Sequence, residues 1–261
     1  MQVNAMKTNA MKEKAMRVKT IIAYDGSSYL GFQKQSSTKQ TITHVLECAL
    51  RDLQIPASIV GSGRTDAGVH AANQVIHFDV PSYWHDLEKL KLNLNRKLDD
   101  ISVKHITQVP DDFHARFWAK KRVYRYVFKT SKPSVFEQKY ISYYANFDEK
   151  VLSQALECFL REHDFAYFRK TGSDIHTSVR NIYAASYKKR DDYHFIYFTA
   201  NGFLRAQVRM MINAAMLVAQ GKLPIIALQE QIDLKKRHTT SLAPPQGLYL
   251  ARILYTERNE K

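Results

Sequence analysis

The chain has 261 residues, 45% of them hydrophobic, which is enough to build a globular protein with a buried core. No apolar run approaches the roughly 20 residues of a membrane span, so we expect no membrane association and a cytoplasmic location. Thirty-nine Lys and Arg residues against 25 Asp and Glu residues give a formal net charge of +14, which favours a polyanion such as nucleic acid as partner.

Residue types that often hold metals or cofactors show no supporting pattern. Cys48 and Cys158 stand far apart without C-x-x-C spacing, which predicts buried free thiols in a reducing setting. The ten histidines form no H-E-x-x-H spacing, and neither G-x-G-x-x-G nor G-x-x-x-x-G-K-[ST] occurs. We therefore expect no metal and no cofactor.

Residues 1–15 are predicted to form a disordered N-terminal tail, because they contain near-repeats of N-A-M-K and little apolar mass. Met16 is an alternative start, since a strand pattern begins directly after it. Residues 16–110 then form the first half of the body. Its predicted elements are a strand at 18–24, a helix over 42–50, a short strand at 58–60, a strand at 74–80, a helix over 86–96 with Leu87, Leu90, Leu92 and Leu94 as its apolar residues, and a strand at 101–109.

Residues 111–261 form a second half with a similar mixture of elements. Its predicted elements are a strand at 122–129, a helix after a capping Asp148, strands at 179–188 and 193–200, a long helix over 204–219, a helix over 225–234 and a closing strand at 248–254. We expect an α+β fold in which two related split β-α-β halves, of the ferredoxin or RRM type, have mostly antiparallel sheets and form a central cleft.

A glycine-rich loop lies between two predicted strands of the first half. Residues 61–71 read G-S-G-R-T-D-A-G-V-H-A, so three glycines surround Arg64 and Asp66. Glycine permits positive φ and close approach of a ligand, and it leaves little bulk beside the charged pair. Two interpretations follow: a functional loop at a strand end, or a tight turn in which Asp66 caps its own backbone and Arg64 is solvated.

The run G-R-T-D-A-G-V-H-A resembles the catalytic loop of the tRNA pseudouridine synthase A (truA) family. Other family-like motifs follow in order over roughly residues 18–255. They are Y-D-G with G-F-Q (24–33), R-V-Y-R-Y (122–126), H-D-F at an expected helix end (163–165), N-G-F-L through Q-V-R (201–209) and Q-G-L-Y-L (246–250).

The resemblance implies an isomerase that converts uridine to pseudouridine at positions 38, 39 and 40 of the tRNA anticodon stem-loop. The family breaks the N-glycosidic bond, turns the uracil and rejoins its C5 to the ribose, without a cofactor or metal. The implied partner is tRNA, whose target base is flipped out of the stem, and the implied assembly is a homodimer.

The resemblance also implies roles for five residues. Asp66 is the catalytic carboxylate and nucleophile, with attack on the ribose and attack on the base both left open. Arg209 pairs with Asp66 through a guanidinium that can make two hydrogen bonds. Tyr124 stacks on the target base and serves in proton transfer at C5. Arg64 fills the gap left by the flipped base, and Leu248 forms an apolar wall.

Structural alternatives stand beside these roles. Tyr124 shares one strand face with Tyr126 and Phe128, and such a row often forms core; the other two are expected to pack there. Leu248 fits an ordinary core position. Arg64 could instead be a second ion-pair partner of Asp66. Arg209 could instead extend its side chain to solvent, as arginines on helices often do.

Two other functions compete with the isomerase. A tRNA-binding or folding factor that has lost catalysis would share the charge and the aromatic residues, but Asp66, Tyr124 and Arg209 are all retained. An unrelated hydrolase would need His70 beside Asp66, whereas the pattern favours His70 as a residue at the start of a strand.

Overall fold

The computed structural model describes residues 15–172 and 176–255. Except for Ala15, the predicted N-terminal tail lies outside these residues. The first half contains β1 (Met16–Tyr24), α1 (Ile42–Asp52), β2 (Val60–Gly61), β3 (His70–Val80), α2 (Leu87–Asn95) and β4 (Ile101–Gln108). The second half contains β5 (Ala119–Lys129), β6 (Ser142–Tyr143), α3 (Glu149–Glu157), β7 (Arg161–Asp164), β8 (Val179–Arg190), β9 (Tyr193–Ala200), α4 (Gln207–Ala219), α5 (Ile225–Ile232) and β10 (Leu248–Tyr255).

The two halves repeat one topology. In the first half, a β-α-β-β-α-β succession gives the spatial strand order β4-β1-β3-β2. In the second half, β5, α3, β8, β9, α4 and β10 follow the same succession, and the spatial order is β10-β5-β9-β8. When strands are numbered within each half, both orders read 4-1-3-2, the ferredoxin-like arrangement. The α+β class and the two related split β-α-β halves are thus confirmed; their boundary at residues 110 and 111 stays a prediction.

A short parallel ladder joins the halves into one ten-stranded sheet. In it, β10 pairs with β3 only at Tyr249 with His70 and at Leu250 with Ala71. Nearly all other pairings in the sheet are antiparallel. The glycine-rich stretch of residues 61–71 runs into β3, so this junction brings it beside the second half.

Buried aromatic residues and a helix cap stabilise the elements of the second half. Tyr126 and Phe128 on β5 are completely buried, which confirms that they pack in the core. Phe128 stacks on His194 of the neighbouring β9, with ring centroids 5.0 Å apart. Asp148 caps α3 as predicted, because its carboxylate accepts hydrogen bonds from the backbone N–H groups of Lys150 and Val151.

Several element predictions were wrong in detail. Leu92 is 56% exposed, since α2 buries only Leu90 and Leu94, which lie four residues apart on one helix face. The H-D-F motif expected at a helix end belongs instead to β7 and the residue after it. The long helix begins at Gln207, three residues late, because Ala206 adopts a left-handed conformation with φ of 61°.

Within the described ranges, no helix is long and apolar enough to cross a membrane. Cys48 and Cys158 are both free thiols, as predicted, although each is only partly buried. The part of the chain that the structure describes contains no group of three His, Cys, Asp or Glu side chains placed to hold a metal ion.

Candidate active site

The glycine-rich loop between β2 and β3 rests on the turn that follows β1. The backbone N–H of Phe32 donates to the carbonyl of Thr65 at 3.1 Å, and the N–H of Gly68 donates to the carbonyl of Tyr29 at 3.2 Å. These bonds bracket Asp66 on both sides. The turn motifs Y-D-G and G-F-Q thus form the support of the loop.

Buried side-chain hydrogen bonds fix the same loop from beneath. The hydroxyls of Tyr24 and Thr65 lie 2.7 Å apart, and both residues are buried. Ser62 donates to the side-chain oxygen of Gln74 at 2.6 Å, while the amide nitrogen of Gln74 donates to the carbonyl of Gly63 at 2.9 Å. Burial of such groups is tolerated only when they are paired, so this network ties the loop to β1 and β3.

The three glycines serve different needs. A Cβ on Gly61 would lie 2.5 Å from the ring of Phe32, so only glycine allows that ring to approach. Gly68 has φ of +72°, and a Cβ there would lie 3.0 Å from Pro245. Gly63 has no atom within 4 Å of a built Cβ, which leaves open space beside Arg64.

Asp66 meets a guanidinium from the other half of the molecule. Nη1 of Arg209, on α4, lies 3.5 Å from Oδ2 of Asp66. Nε of Arg209 donates to the carbonyl of Ala243 at 2.7 Å. The geometry therefore differs from a two-bond grip on the carboxylate, because Nε is used by the backbone. The Asp66 side chain is 29% exposed, so a ligand can reach it.

Tyr124 lies close to this ion pair. It sits on β5 between Leu250 of β10 and Phe198 of β9, and its ring packs edge-to-face on Phe203 at 5.2 Å. Burial raises the pKa of Tyr124 well above its usual range, and the nearby Tyr24 and the charge of Asp66 raise it further. The phenol therefore stays protonated at neutral pH.

The remaining candidate residues divide into exposed and buried. Arg64 is exposed and, among the described residues, makes no ion pair with Asp66. Leu248 is buried and pairs with Tyr126 across β10 and β5. These positions are compatible with contact to a ligand by Arg64 and with either packing or a pocket wall for Leu248.

His70 is held by other groups and not by Asp66. Its Nδ1 accepts a hydrogen bond from the N–H of Gly26 at 3.1 Å, and its Nε2 lies 3.1 Å from the carbonyl of Lys139. The carboxylate beside its ring is that of Asp25, at 3.2 Å. Burial lowers the pKa of His70, which favours the neutral ring. The hydrolase alternative, which needs His70 beside Asp66, therefore has no geometric support.

Arg122 is a structural residue of the site that sequence reasoning missed. Its guanidinium donates to four carbonyls, those of Ala119, Asn201, Ser62 and Arg116, at 2.6 to 3.1 Å. Ser62 belongs to the loop, Arg116 to the linker between the halves, Asn201 to the turn before α4, and Ala119 to the start of β5. Within the described chain no carboxylate pairs with Arg122, and burial lowers its pKa. In the predicted strand over 122–129, alternation places Arg122 on the same face as the aromatic row. Most of its carbonyl partners come from other segments, so no pattern in the sequence identifies them.

A family model described as tRNA pseudouridine synthase matches residues 20–118 and 155–256, which is more than half of the chain. Asp66, Arg64, Arg209 and Leu248 fall within the matched segments, while Tyr124 lies between them.

Curated relatives match over nearly their whole length. A tRNA pseudouridine synthase A from Helicobacter hepaticus is 38% identical over 243 residues, covering 91% of this chain and 98% of the relative. A protein of the same name from Campylobacter jejuni subsp. doylei is 39% identical over 238 residues, with coverage of 91% and 98%. Another from Lactococcus lactis subsp. lactis is 36% identical over 251 residues, with coverage of 93% and 98%.

The buried hydroxyl pair under the loop yields a stability prediction. Tyr24→Phe and Thr65→Val should each lower the free energy of unfolding by about 1–3 kcal/mol, because each removes the bond between two buried hydroxyls and leaves one of them with a partner fewer. The double variant should lose less than the sum of the two, since both polar groups are then gone. Urea unfolding of all four proteins measures this coupling.

Tyr83→Phe is the matched control, because its hydroxyl bonds the carbonyl of Gln54 at an exposed site. It should change the free energy of unfolding by less than about 0.5 kcal/mol. Strict additivity of the Tyr24 and Thr65 losses would mean that the two hydroxyls do not stabilise one another.

Proposed function

The chain belongs to the tRNA pseudouridine synthase family, and from this premise we propose that Asp66 performs its isomerisation with Arg209 and Tyr124 beside it. The protein is an isomerase that converts uridine to pseudouridine in the tRNA anticodon stem-loop. The observation that carries the proposal is the 3.5 Å contact between Asp66 and Arg209, made across the two halves in a loop with room for a ligand.

The reaction is redox-neutral and adds no atoms. The bond between N1 of uracil and C1′ of the ribose breaks, the base rotates, and a bond forms between C5 and C1′. The proton on C5 is lost and N1 gains one. An ionised carboxylate is suited to attack or to stabilise the electron-poor centre that forms when the glycosidic bond breaks. Asp66 takes this role, with attack on the ribose and attack on the base both compatible with its position.

Arg209 positions this carboxylate. Because Nε is bound to the carbonyl of Ala243, the guanidinium plane is fixed before substrate arrives. Nη1 then presents one N–H group and a positive charge to Asp66. A preorganised charge of this kind needs no rearrangement during the reaction.

Tyr124 contacts the target base. Its ring packs perpendicular to that of Phe203, and a flat aromatic ring stacks well on uracil. Since the pKa of Tyr124 is raised, its hydroxyl acts in the resting site as a donor and not as a phenolate. It therefore does not remove the C5 proton as a preformed base. Its oxygen takes up that proton as its own O–H proton passes on towards N1, which gains one in the reaction.

Arg64 and Leu248 complete the substrate site. A uridine inside a stem must leave the stack before Asp66 can reach its sugar, at the expense of lost stacking. Arg64 is exposed, with open space at Gly63 next to it, so its guanidinium enters the gap and contacts phosphate. Leu248 lies at the start of β10 beneath the site and closes it with apolar surface.

The proposal also includes the target uridines, the cellular location and the oligomeric state. The uridines acted on are those at positions 38, 39 and 40, and the protein works in the cytoplasm as a homodimer. Family resemblance supports these points, and the +14 charge supports a polyanionic substrate.

Loss of the Asp66 carboxylate tests the proposal. Unmodified tRNA carrying tritium at uridine C5 is incubated with the parent protein and with Asp66→Asn. The parent should release tritium and Asp66→Asn should release none above background, while both bind the tRNA. The asparagine keeps the shape but has no charge to act on the sugar or base.

Asp191→Asn is the matched control, because Asp191 is exposed and pairs only loosely with Arg190, its neighbour in the chain. It should release tritium at the parent rate. Bound tRNA with no release by the parent would support the binding-factor alternative, and equal release by parent and Asp66→Asn would remove Asp66 from the chemistry.

Tyr124→Phe separates stacking from proton transfer. The variant should bind tRNA as the parent does but lose turnover by roughly 100-fold or more, the range for removing a positioned acid–base group. Its release of tritium is compared with the parent between pH 6 and 9. The parent rate should show no inflection from Tyr124 there, since the phenol stays protonated. Undiminished turnover in the variant would leave Tyr124 with stacking alone.

A further inference from the structure

An exposed phenylalanine stands on the linker between the two halves. Phe117 is 73% exposed, in the segment that joins β4 to β5. Full exposure of a phenylalanine side chain forgoes the favourable transfer of its ring out of water. Single exposed apolar residues are common, so the meaning of this one depends on how it is held and on what surrounds it.

The ring of Phe117 is held in place by His114, which packs in turn on the buried His77. It stacks on the ring of His114, with centroids 4.1 Å apart and planes 29° apart. The Nδ1 of His114 accepts hydrogen bonds from the N–H groups of Arg116 and Phe117. His114 in turn packs edge-on against the buried His77 at 5.0 Å. One face of Phe117 is therefore covered by His114, and the ring stands at the end of an ordered stack.

Phe117 is adjacent to the catalytic loop. One nitrogen of Arg122, Nη2, donates both to the carbonyl of Ser62 in the loop and to the carbonyl of Arg116 in the linker. Ser62 is two residues from Arg64, and Arg116 directly precedes Phe117. A ligand in contact with Arg64 is therefore within reach of Phe117.

The surroundings of the ring are positively charged. Arg64 and Arg116 are exposed, and in the described part of the chain neither forms an ion pair with a carboxylate. Burial lowers the pKa of Arg180, and the charge of the nearby Arg116 lowers it further. Arg64 and Arg116, which pair with no carboxylate among the described residues, and the nearby Arg180 place positive charge beside an exposed aromatic ring. This combination matches an RNA strand, which offers phosphates and base faces together.

We infer that Phe117 is a stacking platform for an unpaired RNA base next to the flipped nucleotide, with Arg116 contacting the adjoining phosphate. This inference rests on the proposed function, because it takes RNA as the substrate. It adds a substrate contact outside the pocket, on the linker that joins the halves. Phe117 binds and orients the strand, and it takes no part in bond breaking.

Three substitutions separate stacking from simple apolar packing. Phe117→Trp keeps a π face, Phe117→Leu keeps apolar bulk, and Phe117→Ala removes both. The probe is an unmodified anticodon stem-loop transcript with tritium at uridine C5. We expect Phe117→Ala and Phe117→Leu to raise the Kd and KM by roughly 10-fold, with kcat changed less than about twofold, and Phe117→Trp to stay near the parent.

Phe136→Ala is the matched control, since Phe136 is 86% exposed in the loop between β5 and β6. It should bind the transcript as the parent does. All variants should keep the parent Tm, because neither ring fills the core. A kcat loss without a KM change would instead give Phe117 a role in positioning the catalytic loop, and would overturn the inference.

Salt dependence tests the second part of the inference. Arg116→Gln should reduce the slope of log Kd against log salt concentration by about one unit, because one phosphate contact is lost. Phe117→Ala should leave that slope unchanged, since stacking releases no counterions. An unchanged slope in Arg116→Gln overturns the phosphate contact.

Failure of the inference is distinguishable from failure of the proposed function. If Phe117→Ala or Phe117→Leu binds the transcript like the parent while Asp66→Asn abolishes tritium release, only the platform is overturned, and the exposed ring then fits a protein partner. If the parent neither binds the transcript nor releases tritium, the proposed function fails, and the platform fails with it.

Discussion

The contact between Asp66 and Arg209 joins parts of the molecule that are 143 residues apart in the chain. It exists only because the two halves of the sheet meet in one register. The backbone ladder between β10 and β3 at that junction has only two residue pairs, which is a short ladder to fix the position of one half against the other. Side chains therefore carry much of the task of holding the halves in register.

Several side-chain bonds cross from one half to the other. Arg122 binds the glycine-rich loop, the linker and the turn before α4 through one guanidinium. Tyr140 of the second half donates to Asp25 of the first, and Tyr249, also of the second half, donates to the carbonyl of Tyr140. The planar guanidinium of Arg122 is well suited to holding the two halves in register, because its donors have fixed directions and each bond that it makes restricts the others. The buried residues thus set the geometry, and Arg64 and Phe117 are the exposed residues that we propose contact RNA.

The sequence predicts the fold and the loop well, and it predicts their supports poorly. Alternation and helical spacing indicate β1, α1, β9 and α5 nearly as they occur, because each buries one face. The start of β3 was missed, since both of its faces are buried and alternation disappears. The strands β6 and β7 are too short to show a period.

A similar limit applies to the site. The glycine-framed carboxylate stands out in one stretch of sequence, and the family resemblance adds distant residues to it. Hydrogen bonds from Tyr24, Gln74 and Arg122 to the loop leave no periodic pattern, because their partners come from other segments. Exposure of Phe117 is likewise a property of the folded linker, because the run F-H-A-R-F-W of residues 113–118 does not show which of its aromatic residues is buried.

The central claim is that Arg209 acts through the Asp66 carboxylate, and Arg209→Lys tests it most directly. A lysine keeps the charge but has one nitrogen in place of the planar fork, in which Nε reaches the carbonyl of Ala243 and Nη1 reaches Asp66. Single-turnover tritium release and tRNA binding are measured for Arg209→Lys and for Arg205→Lys, an exposed arginine four residues earlier. We expect Arg209→Lys to slow release at least about tenfold with unchanged Kd, and Arg205→Lys to leave release unchanged. Parent-like release by Arg209→Lys would contradict the account.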